Sequence, residues 1–113
     1  MRYFDGFVIP VPTGSQQRFI DHANKADAVF RDQGAKRIVE AWGDDIPTGK
    51  FTDFQGAVQA KDDETVVFSW IEWLDKQTRD TGQKKMMDQD FDGEMPFDGK
   101  RMIMGGFRPI VEL

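Results

Sequence analysis

Apolar and polar positions along the chain alternate between two periods. Residues 3–11 (YFDGFVIPV) are rich in aromatic and β-branched residues and run into Pro12-Thr13-Gly14, which predicts a strand. Pro10 has no N–H, so it belongs at the strand's end or on an unpaired side. From Ser15, a good N-cap, to about Gln33 the spacing becomes helical. Phe19, Ala23, Ala26 and Phe30 form one buried stripe, with Ile20 and Val29 beside it. Gly34 follows where a left-handed residue commonly ends a helix. Residues 35–42 (AKRIVEAW) predict a second strand, and residues 43–49 a loop. Residues 51–60 are open between helix and strand. The spacing of Phe51, Phe54 and Val58 favours a short helix capped by Thr52 or Asp53. Lys61-Asp62-Asp63-Glu64 reads as a solvated turn, and residues 65–73 (TVVFSWIEW) as the clearest strand. Asp75 can cap a helix to about Met87. Gly82 within it costs about 1 kcal/mol relative to Ala, which points to close packing at that position. A Gly/Asp/Pro-rich loop spans 88–100, and a last strand covers 101–108, with 109–113 as a candidate extension.

The order is β-α-β-(short element)-β-α-β. This is the α+β, ferredoxin-like pattern: an antiparallel four-stranded sheet with two helices on one face, in a single domain over residues 1–113.

Period-two sorting assigns each strand two faces. Phe4, Gly6 and Val8, with Val39, Ala41, Val67, Ser69, Ile71, Trp73, Met102, Met104 and Gly106, are mostly uncharged and suit the side under the helices. The other set mixes Tyr3, Phe7, Trp42, Phe68 and Trp70 with Asp5, Glu40, Glu72 and Arg101. An exposed aromatic patch of that size is unusual for a monomer. Packing a second copy sheet to sheet would bury it, and five such rings supply about 10 kcal/mol gross. The expectation is a symmetric homodimer.

Composition narrows the chemistry. The chain has ten Phe, three Trp and one Tyr in 113 residues, with a net charge of −5. There is no cysteine and one histidine, His22. Thiol nucleophiles, disulfides and zinc–thiolate sites are excluded. The acidic balance and the lack of a basic stripe disfavour nucleic acid and anionic membranes. No targeting segment or span-length apolar run is seen, so the cytoplasm is the default. Chemistry would fall to carboxylates, Arg and aromatic walls. Glu40, Glu72 and Asp5 are the candidate acid/base groups. Arg101 is the candidate anion clamp, and Trp42, Trp70 and Tyr3 are candidate walls for a small planar or anionic ligand. The bland alternative has Arg101 paired to an acid, with Glu40 and Glu72 at the rim. No cofactor and no metal are expected. Asp88-Gln89-Asp90-Phe91-Asp92-Gly93 opens like a calcium loop, but its twelfth position is Gly99 instead of Glu and Pro96 sits at the ninth. His22 lies off the buried stripe and reads as solvated.

RIVEAWGDD (37–45), VVFSWIEW (66–73) and MPFDGKRMIMGGF (95–107), with YFDGFVIPVP (3–12), resemble the YbaA-like family of bacterial proteins, a domain of unknown function. The resemblance covers nearly the whole chain, although the stretch 88–94 is shorter than in relatives. It implies a dimeric α/β-barrel assembly in which ferredoxin-like protomers join face to face. It brings no assigned activity and no catalytic residues. The wider barrel group includes cofactor-independent monooxygenases, haem-degrading enzymes and stress proteins, an analogy at the level of fold alone. A lone histidine weakens haem ligation further. Two functions remain open: a dimer binding or transforming a small metabolite, and a non-enzymatic dimeric interaction protein.

Overall fold

A computed structural model describes residues 2–89 and 95–113. Strand β1 (Tyr3–Pro12) passes through a short 3₁₀ turn, Thr13–Ser15, into helix α1 (Gln16–Asp32). Then come β2 (Ala35–Trp42), the short helix α2 (Phe54–Ala57), β3 (Glu64–Trp73), α3 (Lys76–Met87) and β4 (Ile103–Phe107). All strand pairs are antiparallel, in the order β2-β3-β1-β4. This is the ferredoxin-like arrangement. Among the described residues no helix is long and apolar enough to cross a membrane.

Local chemistry explains most boundaries. Gly34 ends α1 at φ +106°, a backbone conformation that glycine adopts without strain. Asp75 caps α3, its Oδ1 accepting from the Thr78 N–H at 2.8 Å. Asp53 caps α2 in the same way, accepting from Gly56 N–H, which settles 54–57 as helix. Ser15 does not cap α1; the 3₁₀ turn carries the chain into the helix without a side-chain bond. The last strand is shorter than the sequence pattern suggests. Arg101 and Met102 precede it, and residues 108–113 leave the sheet.

The faces of the sheet correct the sequence reading. Register pairs Tyr3 with Trp73, Asp5 with Ile71, Phe7 with Ser69, and Ile9 with Val67. It also pairs Glu40 with Ser69 and Trp42 with Val67. Directly opposed residues share a face. So Tyr3, Asp5, Phe7, Ile38, Glu40 and Trp42 lie on the side covered by α1 and α3, together with Ile71 and Trp73. Strands β1 and β2 are turned over relative to the expected sorting, while β3 and β4 keep theirs.

The core on the helix side joins Ile9, Val11 and Val67 to Phe19 and Ala23 of α1, and Ile71 and Trp73 to Phe30. Gly82 lets α3 approach this layer. A Cβ there would overlap the Trp73 indole ring. The opposite face is covered at one end by α2 and its flanks, where Val58 packs on Val8 and Val66. The rest of that face stays open, with Phe68 44% and Phe107 60% exposed.

Candidate functional site

A cavity of about 440 Å³ lies between the sheet and helices α1 and α3. One cross-strand row supplies part of its wall: Glu40, Ser69, Phe7 and Met104, each opposite the next in register. Helix α1 contributes Phe19, His22 and Asp27, and α3 contributes Gln83 and Met86. Phe97 and Met102, from the segment before β4, close another side. The lining is dominated by aromatic rings and thioethers, surfaces that adapt to varied apolar shapes.

Two carboxyl groups are set in this apolar wall. Asp27 of α1 hydrogen-bonds Glu40 of β2. Burial first, then that bond and the Glu40 charge, push the Asp27 carboxyl up to about 8. Asp27 is therefore favoured as the proton-bearing member of the pair, donating to Glu40. Oε1 of Glu40 is buried and accepts from no N–H or hydroxyl among the described residues. Asp27 and Glu40 also border a groove of about 570 Å³ between α1 and β2, where Trp42 sits. The pair thus borders both spaces. His22 packs edge-on against Phe97 at 5.9 Å, and burial lowers its imidazole below the usual range. Its expected position on a solvated surface is corrected accordingly.

The remaining candidates are divided among three other places. Asp5 is fully buried and engaged by three side chains. Trp73 Nε1 donates to its Oδ2 at 2.9 Å, Gln83 Nε2 to the same oxygen at 2.9 Å, and Arg79 grips it through Nε and Nη2 at 2.9 and 2.8 Å. Tyr3 lies under the Arg79 guanidinium at 5.2 Å. Arg101 is held bidentately by Glu64, at 2.7 Å for each contact, and donates to Asp98 at 3.0 Å and the Gln59 carbonyl at 2.9 Å. That bond to Arg101 pulls the Glu64 carboxyl down to about 2. Arg101 therefore ties the 98–101 turn to the start of β3 and does not face the sheet as an anion clamp. Glu72 and Trp70 do share the open face. Trp70 Nε1 donates to Glu72 Oε2 at 3.1 Å, and Arg2 pairs with Glu72 Oε1 at 3.2 Å. The calcium-like motif lies outside the described residues from Asp90 to Gly93. Among the described residues, no group of three or more His, Asp or Glu is placed to hold a metal.

Residues 2–99 match the family model described as protein of unknown function, DUF1428. The chain belongs to the DUF1428 family. It is 49% identical over 116 residues to the uncharacterised protein YbaA of Escherichia coli K12, covering 99% of each chain. The YbaA proteins of E. coli O157:H7 and Shigella flexneri match equally well. A crystal structure described as a dimeric ferredoxin-like protein from an uncultured marine organism superposes with a TM-score of 0.65. That match covers 99% of this chain and 98% of the other at 11% identity, and so shows the shared fold.

Sequence reasoning on this DUF1428 chain found Glu40 and missed Asp27. A signal was present: Asp27 stands one turn after Ala23, an acid written into the apolar stripe of α1. Phe97, Met102 and Gln83 gave no such sign, because only tertiary packing brings them to the cavity.

Proposed function

We propose that this DUF1428 protein is a homodimer that binds a small, largely apolar molecule inside each protomer, between the sheet and helices α1 and α3. The observation that carries this reading is the cavity of about 440 Å³ with the Asp27–Glu40 pair in its wall. Its size falls in the range of small-molecule sites, roughly 300–1,000 Å³. Its few polar groups suit orientation of a bound molecule. A carboxyl pair sharing a proton can also give one or take one, so Glu40 with Asp27 is the acid/base candidate for any transformation there. Arg101, the expected anion clamp between sheets, is engaged instead by Glu64 and Asp98.

The test uses N-phenyl-1-naphthylamine, a neutral probe that fluoresces in apolar surroundings. Saturable binding to the wild type, abolished in Ala26→Phe, supports the cavity. Equal binding by the two proteins overturns it. Support for the homodimer comes from the open face, where Phe68 and Phe107 sit with Phe4, Trp70 and Ile103, and from the dimeric description of the structural neighbour. Light scattering of the wild type should give twice the chain mass, and Phe107→Asp should give monomers. A second reading, a dimeric interaction protein without a ligand, rests on Phe51, which is 94% exposed beside the 43–50 loop. Absence of any probe binding together with an intact dimer would favour it.

A further inference from the structure

The polar character of the cavity is one-sided. Glu40 offers a buried acceptor oxygen, Oε1, that accepts from no N–H or hydroxyl among the described residues. The nearest cationic side chain in the lining would be His22, but burial favours its neutral form, with Lys25 acting in the same direction and the Glu40 charge opposing. Gln83, which carries an amide donor, has that nitrogen engaged by Asp5. The walls present the faces and edges of Phe7, Phe19, Phe30 and Phe97 together with methionine sulfur. Ring faces attract cations, and thioethers are weak acceptors. A proton shared by two carboxyl groups leaves one formal negative charge on the pair. Among the described residues of the lining, His22 is the one basic side chain, while Arg31, Lys36 and Arg37 line the adjoining groove.

We propose that the cavity selects an apolar amine, its protonated nitrogen donating to Glu40 beside Asp27 and its hydrocarbon or aromatic body lying among the phenylalanine and methionine side chains. This deepens the cavity reading and rests on it. Burial of an ammonium is favourable only where a counter-charge and hydrogen-bond acceptors receive it. Here the counter-charge, the unmet acceptor and the ring faces converge on one space. A carboxylate ligand of the same shape would meet the pair's negative charge and, among the described lining residues, only neutral donors such as the Ser69 hydroxyl and the His22 imidazole.

Three shape-matched probes separate this inference from the reading beneath it: 1-naphthylmethylamine, 1-naphthalenemethanol and 1-naphthoate, titrated calorimetrically at pH 7. The amine should bind at least tenfold more tightly than the alcohol, and the carboxylate at least a hundredfold more weakly than the amine. Glu40→Gln, verified as folded by circular dichroism, should bring the amine to within threefold of the alcohol while the alcohol itself is unchanged. Asp27→Asn, which keeps the Glu40 charge, should preserve most of the amine's advantage. If the alcohol and amine bind equally, or if Glu40→Gln leaves the amine's advantage intact, the amine assignment is overturned and the cavity reading stands. If none of the three binds, both are overturned.

Discussion

Two buried carboxylates on the same side of the same sheet meet different fates. Asp5, on β1, is surrounded by donors: the Trp73 indole, the Gln83 amide and the Arg79 guanidinium together satisfy both its oxygens. Glu40, on β2, meets another acid, and its buried Oε1 accepts from no N–H or hydroxyl among the described residues. Desolvating a carboxylate is costly, so each arrangement is informative. The Asp5 corner resolves the cost within the protein and fastens α3 to the sheet. The Asp27–Glu40 corner leaves it unresolved beside a cavity. Full satisfaction marks architecture, and incomplete satisfaction beside a cavity is what the proposed ligand site rests on.

The comparison breaks if Asp5 proves dispensable. Asp5→Ala strands Arg79 and leaves the Trp73 N–H without its acceptor. Urea unfolding should show a loss of about 3–5 kcal/mol. A smaller loss is expected at the third carboxylate pair. Arg101→Met frees Glu64, and the same measurement should show a smaller fall than Asp5→Ala. Glu64 titrates at about 2 in the folded protein against an ordinary 4.5. Its stabilisation is therefore complete above pH 4.5 and is lost as the pH falls towards 2. Arg101→Met should remove that part of the acid limb.

Asp27 has the opposite sign. Its carboxyl titrates at about 8 when folded and near 3.8 when unfolded. Between those values the unfolded chain binds fewer protons, so its contribution to stability declines as pH rises through that window and levels off above about 8. Asp27→Asn should flatten the fall in melting temperature between pH 6 and 9. The smallest effect is expected for Glu40→Gln. It replaces an incompletely satisfied carboxyl and should change stability at pH 7 by no more than about 1 kcal/mol. A loss as large as that of Asp5→Ala would show the two corners to be alike.

What could be read from the sequence divides along the same line. Local signals were legible: the stripe of α1, the Gly34 terminus, the Asp75 cap, and Gly82 as a close approach to the Trp73 ring. The element order and the ferredoxin-like fold followed from them. The inward faces of β1 and β2 were not legible, because each strand carries an acid that local reasoning sends towards water. Asp5 turns inward because Trp73, Arg79 and Gln83 receive it. Glu40 turns inward because Asp27 does. Arg101 was correctly seen as a cation in need of an acid, but Glu64 and Asp98, not the sheet face, supply it. The open face kept Phe68, Trp70, Glu72 and Phe107 and exchanged Tyr3, Phe7 and Trp42 for Phe4 and Val8. Its aromatic character survived the change of members.

The Asp5 corner also sets an order of events during synthesis. Its partners lie 68, 74 and 78 residues further along the chain. When β1, α1 and β2 leave the ribosome, Asp5 has none of these donors, and β1 lacks both of its neighbours, β3 and β4. The early segment therefore has every reason to stay hydrated and fluid. Closure waits for α3, and pairing across such separations is slow because loop entropy is lost before any contact forms. A nascent chain halted before Gln83 should be cut readily by proteases, and one a few dozen residues longer should resist them.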